Sequence, residues 1–88
     1  MMARHLIFGV HISYRVPRVP DVQKLLSDFG CYIKTRIGLH HVDEDACSPR
    51  GLIILEMFGD EAKCQELFDK LAAIQGVDVQ KMVFEHPE

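Results

Sequence analysis

Several things are missing from this 88-residue chain, and each absence removes a class of function. No run of lysine or arginine appears. Net charge is −3, and the 10 basic and 13 acidic residues are mixed along the sequence. Nucleic-acid recognition needs clustered cations or a basic recognition helix, so no direct nucleic-acid partner is expected. No apolar run approaches the roughly 20 residues that a membrane-crossing helix requires. Met1 to Ile12 places Arg4 ahead of apolar residues but contains His5 and His11 and has no h-region, so it does not read as a signal peptide. Paired cysteines are missing as well. Cys31, Cys47 and Cys64 are odd in number and widely spaced, which fits free thiols in a reducing cytoplasm. Nothing resembles a catalytic triad, a paired-carboxylate cleft or a phosphate loop, so no enzyme is expected. There is no internal repeat and no low-complexity segment.

What is present reads as one domain, residues 1–88. The clearest stretch runs from Gly51 to Phe84. Leu52 to Leu55, continued by Met57 and Phe58, form a short apolar run suited to a strand with contacts on both faces. Gly59–Asp60 breaks it, and Asp60 is placed to cap a helix. Cys64, Leu67, Phe68, Leu71 and Ile74 follow at helical spacing. Gly76 ends the helix, and residues 77–84 alternate as a strand.

Upstream, Arg4 to Ser13 alternates as a strand, with Leu6, Phe8, Val10 and Ile12 on one face. Pro20 suits a first helical turn, Val22, Leu25, Leu26 and Phe29 form an apolar stripe, and Gly30 ends that helix. Cys31 to Val42 reads as the second strand, with Ile33, Thr35, Ile37 and Leu39 on one side and Tyr32, Lys34, Arg36 and His40 on the other. Gly38 is a candidate bulge or point of close approach. Asp43 to Arg50 is a polar connection, and His86 to Glu88 a tail.

The order strand, helix, strand, strand, helix, strand is the split β-α-β, ferredoxin-like pattern of the α+β class. Right-handed crossovers put both helices on one face of a four-stranded antiparallel sheet. The helix side should then bury Leu6, Phe8, Val10, Ile12, Leu26, Ile33, Ile37, Ile53, Leu55, Leu67, Leu71 and Val77, among others. The other, open face should carry Ile7, His11, Lys34, Arg36, Ile54, Glu56, Phe58, Met82 and Phe84. That much uncovered apolar area points to subunit packing, with Arg36 and Glu56 as a candidate ion pair. A core of this size favours oligomerisation, as a dimer or tetramer.

Leu25–Leu26, Phe29 and Arg36–Ile37–Gly38 resemble a family of small proteins, the iron-only hydrogenase system regulators. So do Gly51 to Leu55, Lys70–Leu71, Ile74 and Gly76 to Lys81, so that the likeness covers the chain from about Asp21 onward. That family is similar to ACT-type regulatory domains and to the C-terminal domain of nickel-responsive repressors. The resemblance implies an ACT-like regulatory homo-oligomer that senses a small-molecule effector and acts through a regulatory protein partner. ACT-type domains often hold an effector in the loop after the first strand, here Ser13, Tyr14, Arg15 and Val16. Arg15 would pair there with a carboxylate.

His40, His41 and Cys47 are candidate ligands for nickel or zinc. The repressors space a histidine and a cysteine by five residues in this region, as His41 and Cys47 are spaced. Their other histidine corresponds to Leu39, and Ser48 to Gly51 stands between Cys47 and the next strand. The alternative for all three is a polar strand end and an incidental loop cysteine. His5 and His11 share the open face and are either interface packing residues or ligands across an interface. A purely structural interaction domain remains a third reading.

Overall fold

The computed structural model describes residues 2–12, 19–40 and 51–87. Strand β1 spans Met2–Ile12, helix α1 Val19–Asp28, β2 Ile33–His40, β3 Gly51–Met57, helix α2 Glu61–Ala72 and β4 Val77–Pro87. The four strands form one antiparallel sheet in the order β2-β3-β1-β4. This is the expected ferredoxin-like α+β fold, with both helices on one face.

Strand periodicity builds the buried layer. Leu6, Phe8, Val10 and Ile12 of β1 and Ile53, Leu55 and Met57 of β3 are buried beneath the helices. α1 contributes Val22 and Leu26, and α2 contributes Cys64, Leu67 and Leu71. Phe8 meets Phe68 edge to face, with centroids 5.3 Å apart. α2 begins as expected: the Asp60 carboxylate accepts from the Ala62 N–H at 2.8 Å. Gly76 has a φ of +87°, the left-handed conformation that only glycine adopts at little cost.

Three local expectations are corrected. The chain after α1 does not enter β2 at Cys31. Gly30 to Tyr32 make a 3-10 turn, and Cys31 is exposed in it. Residues 86 and 87 are not a tail: β4 continues through them, pairing His86 with Ala3 and Pro87 with Met2.

The third correction matters most. Ile33 faces Met57 and Thr35 faces Glu56, so Lys34 is an extra residue, a bulge in β2. Side chains alternate with period two, so one inserted residue exchanges the faces downstream. Arg36 therefore opposes the core residue Leu55 and reaches Gln23 of α1 on the helix side, not the open face. Ile37 opposes Ile54 on the open face and is 50% exposed, not buried under the helices. Gly38 is neither a bulge nor a point of close approach: it lies in regular pairing with Ile53, and a side-chain carbon there would meet nothing within 4 Å.

Candidate functional site: the open face of the sheet

The uncovered side of the sheet is a grid of residues in rows across the strands. One row reads Thr35, Glu56, Ile7, Met82 from β2 to β4. The next reads Ile37, Ile54, Gly9, Gln80, and the next Leu39, Leu52, His11, Asp78. Beyond the first row, His5 pairs with Phe84. Ile37, Met82 and Phe84 are each at least half exposed. Ile7, Leu52 and Ile54 are half-buried by their neighbours. An apolar stripe thus runs diagonally from Ile37 through Ile54, Ile7 and Met82 to Phe84. Phe58, just past the end of β3, is also exposed at 52%.

Gly9 leaves this face hollow at its centre. A side-chain carbon there would find only the Gln80 carbonyl oxygen, at 4.0 Å. Two adjoining depressions meet over it. One, of about 270 Å³, is lined by Gly9, His11, Leu52, Asp78 and Gln80. The other, of about 220 Å³, is bordered by Ile7, Ile54, Lys81 and Met82. Both are lined more by apolar than by polar atoms, and His11, Asp78 and Gln80 border the first.

One polar cluster interrupts the stripe. Glu56 accepts from the Thr35 hydroxyl at 2.8 Å and bonds His5 Nε2 at 2.7 Å. Those two hydrogen bonds, Thr35 first, hold the Glu56 carboxyl below its ordinary range, and the Lys34 charge adds to the effect. Sequence reasoning paired Glu56 with Arg36 instead, and the bulge explains the difference. It turns Thr35 onto the open face and Arg36 off it. No local signal at Lys34 announces this.

Of the expected interface residues, Ile7, His11, Ile54, Glu56, Met82 and Phe84 share the open face, Phe58 lies beside it and Arg36 does not belong to it. His5 and His11 sit six residues apart on one strand, about 20 Å, so one protomer cannot bring both to a single ligand. Cys64 is buried, and burial, with Glu61 and Asp60 nearby, pushes its thiol up.

The candidate effector residues Ser13, Tyr14, Arg15 and Val16 lie outside the described residues, as do the candidate ligands His41 and Cys47. His40 ends β2. Among the described residues no cluster of three metal-ligating side chains occurs. One backbone feature bears on both candidates. His40, Gly51, Ile12 and Val77 form a single row at one end of the sheet, next to the row of His11 and Asp78. Segments 13–18 and 41–50 both attach at that end. Among the described residues no helix is long and apolar enough to cross a membrane.

The fold has solved counterparts. An uncharacterized protein of Thermotoga maritima superposes with a TM-score of 0.74 at 23% identity, covering 96% of this chain and 99% of its own. CPII of Thiomonas intermedia, solved bound to ADP, AMP and acetate, superposes at 0.50 with 14% identity, covering 100% of this chain and 93% of its own. CPII is described as a nitrogen regulatory PII-like protein. These likenesses establish the fold. No protein-family description matches the sequence, and no curated protein does.

Proposed function

We propose that this chain is a non-catalytic regulatory domain, an ACT-like module that works as a homo-oligomer and senses a small effector. The observation that carries this reading is the uncovered apolar stripe with a hollow over Gly9 at its centre. A four-stranded sheet with helices on one side leaves its other face to be covered by something, and patches of this kind mark interaction sites. A second copy laid on the stripe encloses the hollow, and a ligand held there shifts the population of assembled protein. Attachment of segments 13–18 and 41–50 at the end of the sheet next to His11 and Asp78 supports an effector site there. The likeness to the hydrogenase system regulators supports a regulatory output passed to a partner protein. CPII was solved with adenine nucleotides, so these belong among the first ligands to try.

The test is a thermal-shift panel on metal-stripped protein with amino acids, adenine nucleotides, Ni²⁺ and Zn²⁺. A ligand at about 100 times its Kd adds about 2.7 kcal/mol to the folded state. A shift with one organic effector, lost in Arg15→Ala, supports the reading. A shift with metal alone, lost when His41 and Cys47 are replaced by Ala, favours the metal-binding alternative. No shift with any ligand defeats effector sensing and leaves an interaction domain. Separately, Ile54→Asp should disperse an assembly built on the open face, and an unchanged assembly would show that the face is not its interface.

A further inference from the structure

The sheet has two outer strands, β2 and β4, and they end it differently. β2 is eight residues long, carries the Lys34 bulge and presents Lys34 and Arg36. Bulges, short length and charge are the devices by which an edge strand avoids pairing with another chain. β4 lacks the bulge and the short length. It runs for 11 residues in unbroken register with β1. At its middle, Met82, Val83 and Phe84 are exposed by 54, 38 and 50%. Met82 and Phe84 are on the open face, whereas Val83 opposes the buried Leu6 on the helix face. A missing layer would leave one face bare. Exposure on both faces at one point of an edge is what a missing neighbouring strand leaves.

We propose that β4 pairs with β4 of a second copy, antiparallel about a two-fold axis through Val83, joining two sheets into one of eight strands. The sequence selects this register. Residues directly opposite one another share a face and interact. Around Val83, Lys81 faces Glu85 of the second copy, and Glu85 faces Lys81. Met82 faces Phe84 on the open side, and Gln80 faces His86. An axis at Lys81 would set lysine against lysine. An axis at Met82 would set Lys81 against Val83 and Glu85 against Val79. An axis at Phe84 would set Glu85 against Val83. Only the Val83 register gives both charges an opposite partner and keeps the apolar residues together. Both charged side chains are exposed. Within its own protomer Lys81 donates to Gln65 at 2.8 Å and Glu85 stands 3.7 Å from Arg4, contacts that the pairing would have them share or exchange. This contact is lateral, so it does not depend on the open face being an interface. It makes the apolar stripes of two copies continuous across the join.

Sedimentation of the full chain tests the pairing. Lys81→Glu and Glu85→Lys each place like charges opposite one another twice by symmetry, and each should weaken dimerisation about tenfold. The double variant restores opposite charges across the axis and should recover the wild-type dissociation constant. A second measurement does not need the charges. In a Cys31→Ser, Cys47→Ser background, Val83→Cys should oxidise to a covalent dimer, because paired residues across an antiparallel ladder stand about 4.5–5.5 Å apart, within disulfide reach. Met82→Cys, displaced along the strand from its twin, should not. Wild-type protein that stays monomeric, single reversals without effect, or a folded double variant that stays dissociated overturns the proposal. So does a Val83→Cys variant that does not cross-link. Ile54→Asp should leave this dimer intact. A dimer abolished by Ile54→Asp but indifferent to the charge reversals would keep the open-face reading and sink edge pairing.

Discussion

Phe8 and Phe84 provide a paired test of the two sides of the sheet. They lie on neighbouring strands, but Phe8 is 1% exposed under α2 and Phe84 is 50% exposed on the open face. Phe8→Ala removes a ring that packs edge-on against Phe68 and leaves a cavity between sheet and helix. Buried Phe→Ala changes cost about 3–5 kcal/mol. In a domain of this size each kcal/mol lowers Tm by about 4–8 °C, so the loss should be at least about 12 °C. Complete burial of a phenylalanine is worth about 1.5–3 kcal/mol, so half-burial sets Phe84→Ala near 1 kcal/mol. Urea unfolding at the lowest workable concentration should show this contrast. Raising the concentration about 100-fold should then stabilise wild type by mass action, but not Phe84→Ala. Equal losses for the two variants would refute the assignment of faces. A wild-type midpoint independent of concentration would refute self-association while leaving the fold intact.

Asp60→Ala removes the side-chain acceptor for the first turn of α2 and should cost about 1 kcal/mol, whereas Asp60→Asn should restore most of it; equal melting of the two variants would show the cap to be idle. The Glu56 carboxyl titrates below its ordinary value in the folded protein, so its contribution to stability is complete above the unfolded value, about 4.3, and is lost as pH falls through the folded value. Thr35→Val removes the first cause of that shift and should raise the Glu56 titration midpoint seen by NMR; an unmoved midpoint would refute the assignment. Thiol labelling followed by peptide mass spectrometry should modify Cys31 promptly and Cys64 only on unfolding, and prompt labelling of Cys64 would contradict its burial.

The parts of the fold that were legible in the sequence are those in which one periodicity runs uninterrupted. In β1, Leu6, Phe8, Val10 and Ile12 alternate without a break, and all four are buried. In α2, Cys64, Leu67 and Leu71 recur at helical spacing between a capping aspartate and a glycine, and all three are buried. β2 defeats the same logic. Its residues alternate cleanly, yet the pairing with β3 absorbs Lys34 as an extra residue. Alternation records only that neighbours point to opposite sides. It does not record where a partner strand skips one, which is a property of the pair. The end of β4 was missed for a related reason. His86 and Pro87 carry little strand propensity, and only pairing with Ala3 and Met2 makes them part of the sheet.

The bulge has a consequence for the site itself. With regular pairing, β2 would have given Arg36 to the open face and Ile37 to the core. The inserted Lys34 exchanges them, which takes a charge off the face and adds an isoleucine beside Ile54. Arg36 then donates to Gln23 of α1 within its own protomer. Glu56, deprived of that arginine, is held by Thr35 and His5 within its own protomer. The two charges expected to pair with each other are thus each hydrogen-bonded to other groups of the same protomer. A surface covered by a second copy must avoid burying an uncompensated charge; Arg36 has left this face, and the Glu56 carboxylate is already hydrogen-bonded on it by Thr35 and His5. One inserted lysine at the edge therefore does two things. It blunts β2 against lateral pairing, and it extends the apolar stripe of the open face onto β2 through Ile37. In the proposed assembly, lateral pairing falls to β4 and stacking to the open face, which are the two contacts tested by the Lys81, Glu85 and Ile54 variants.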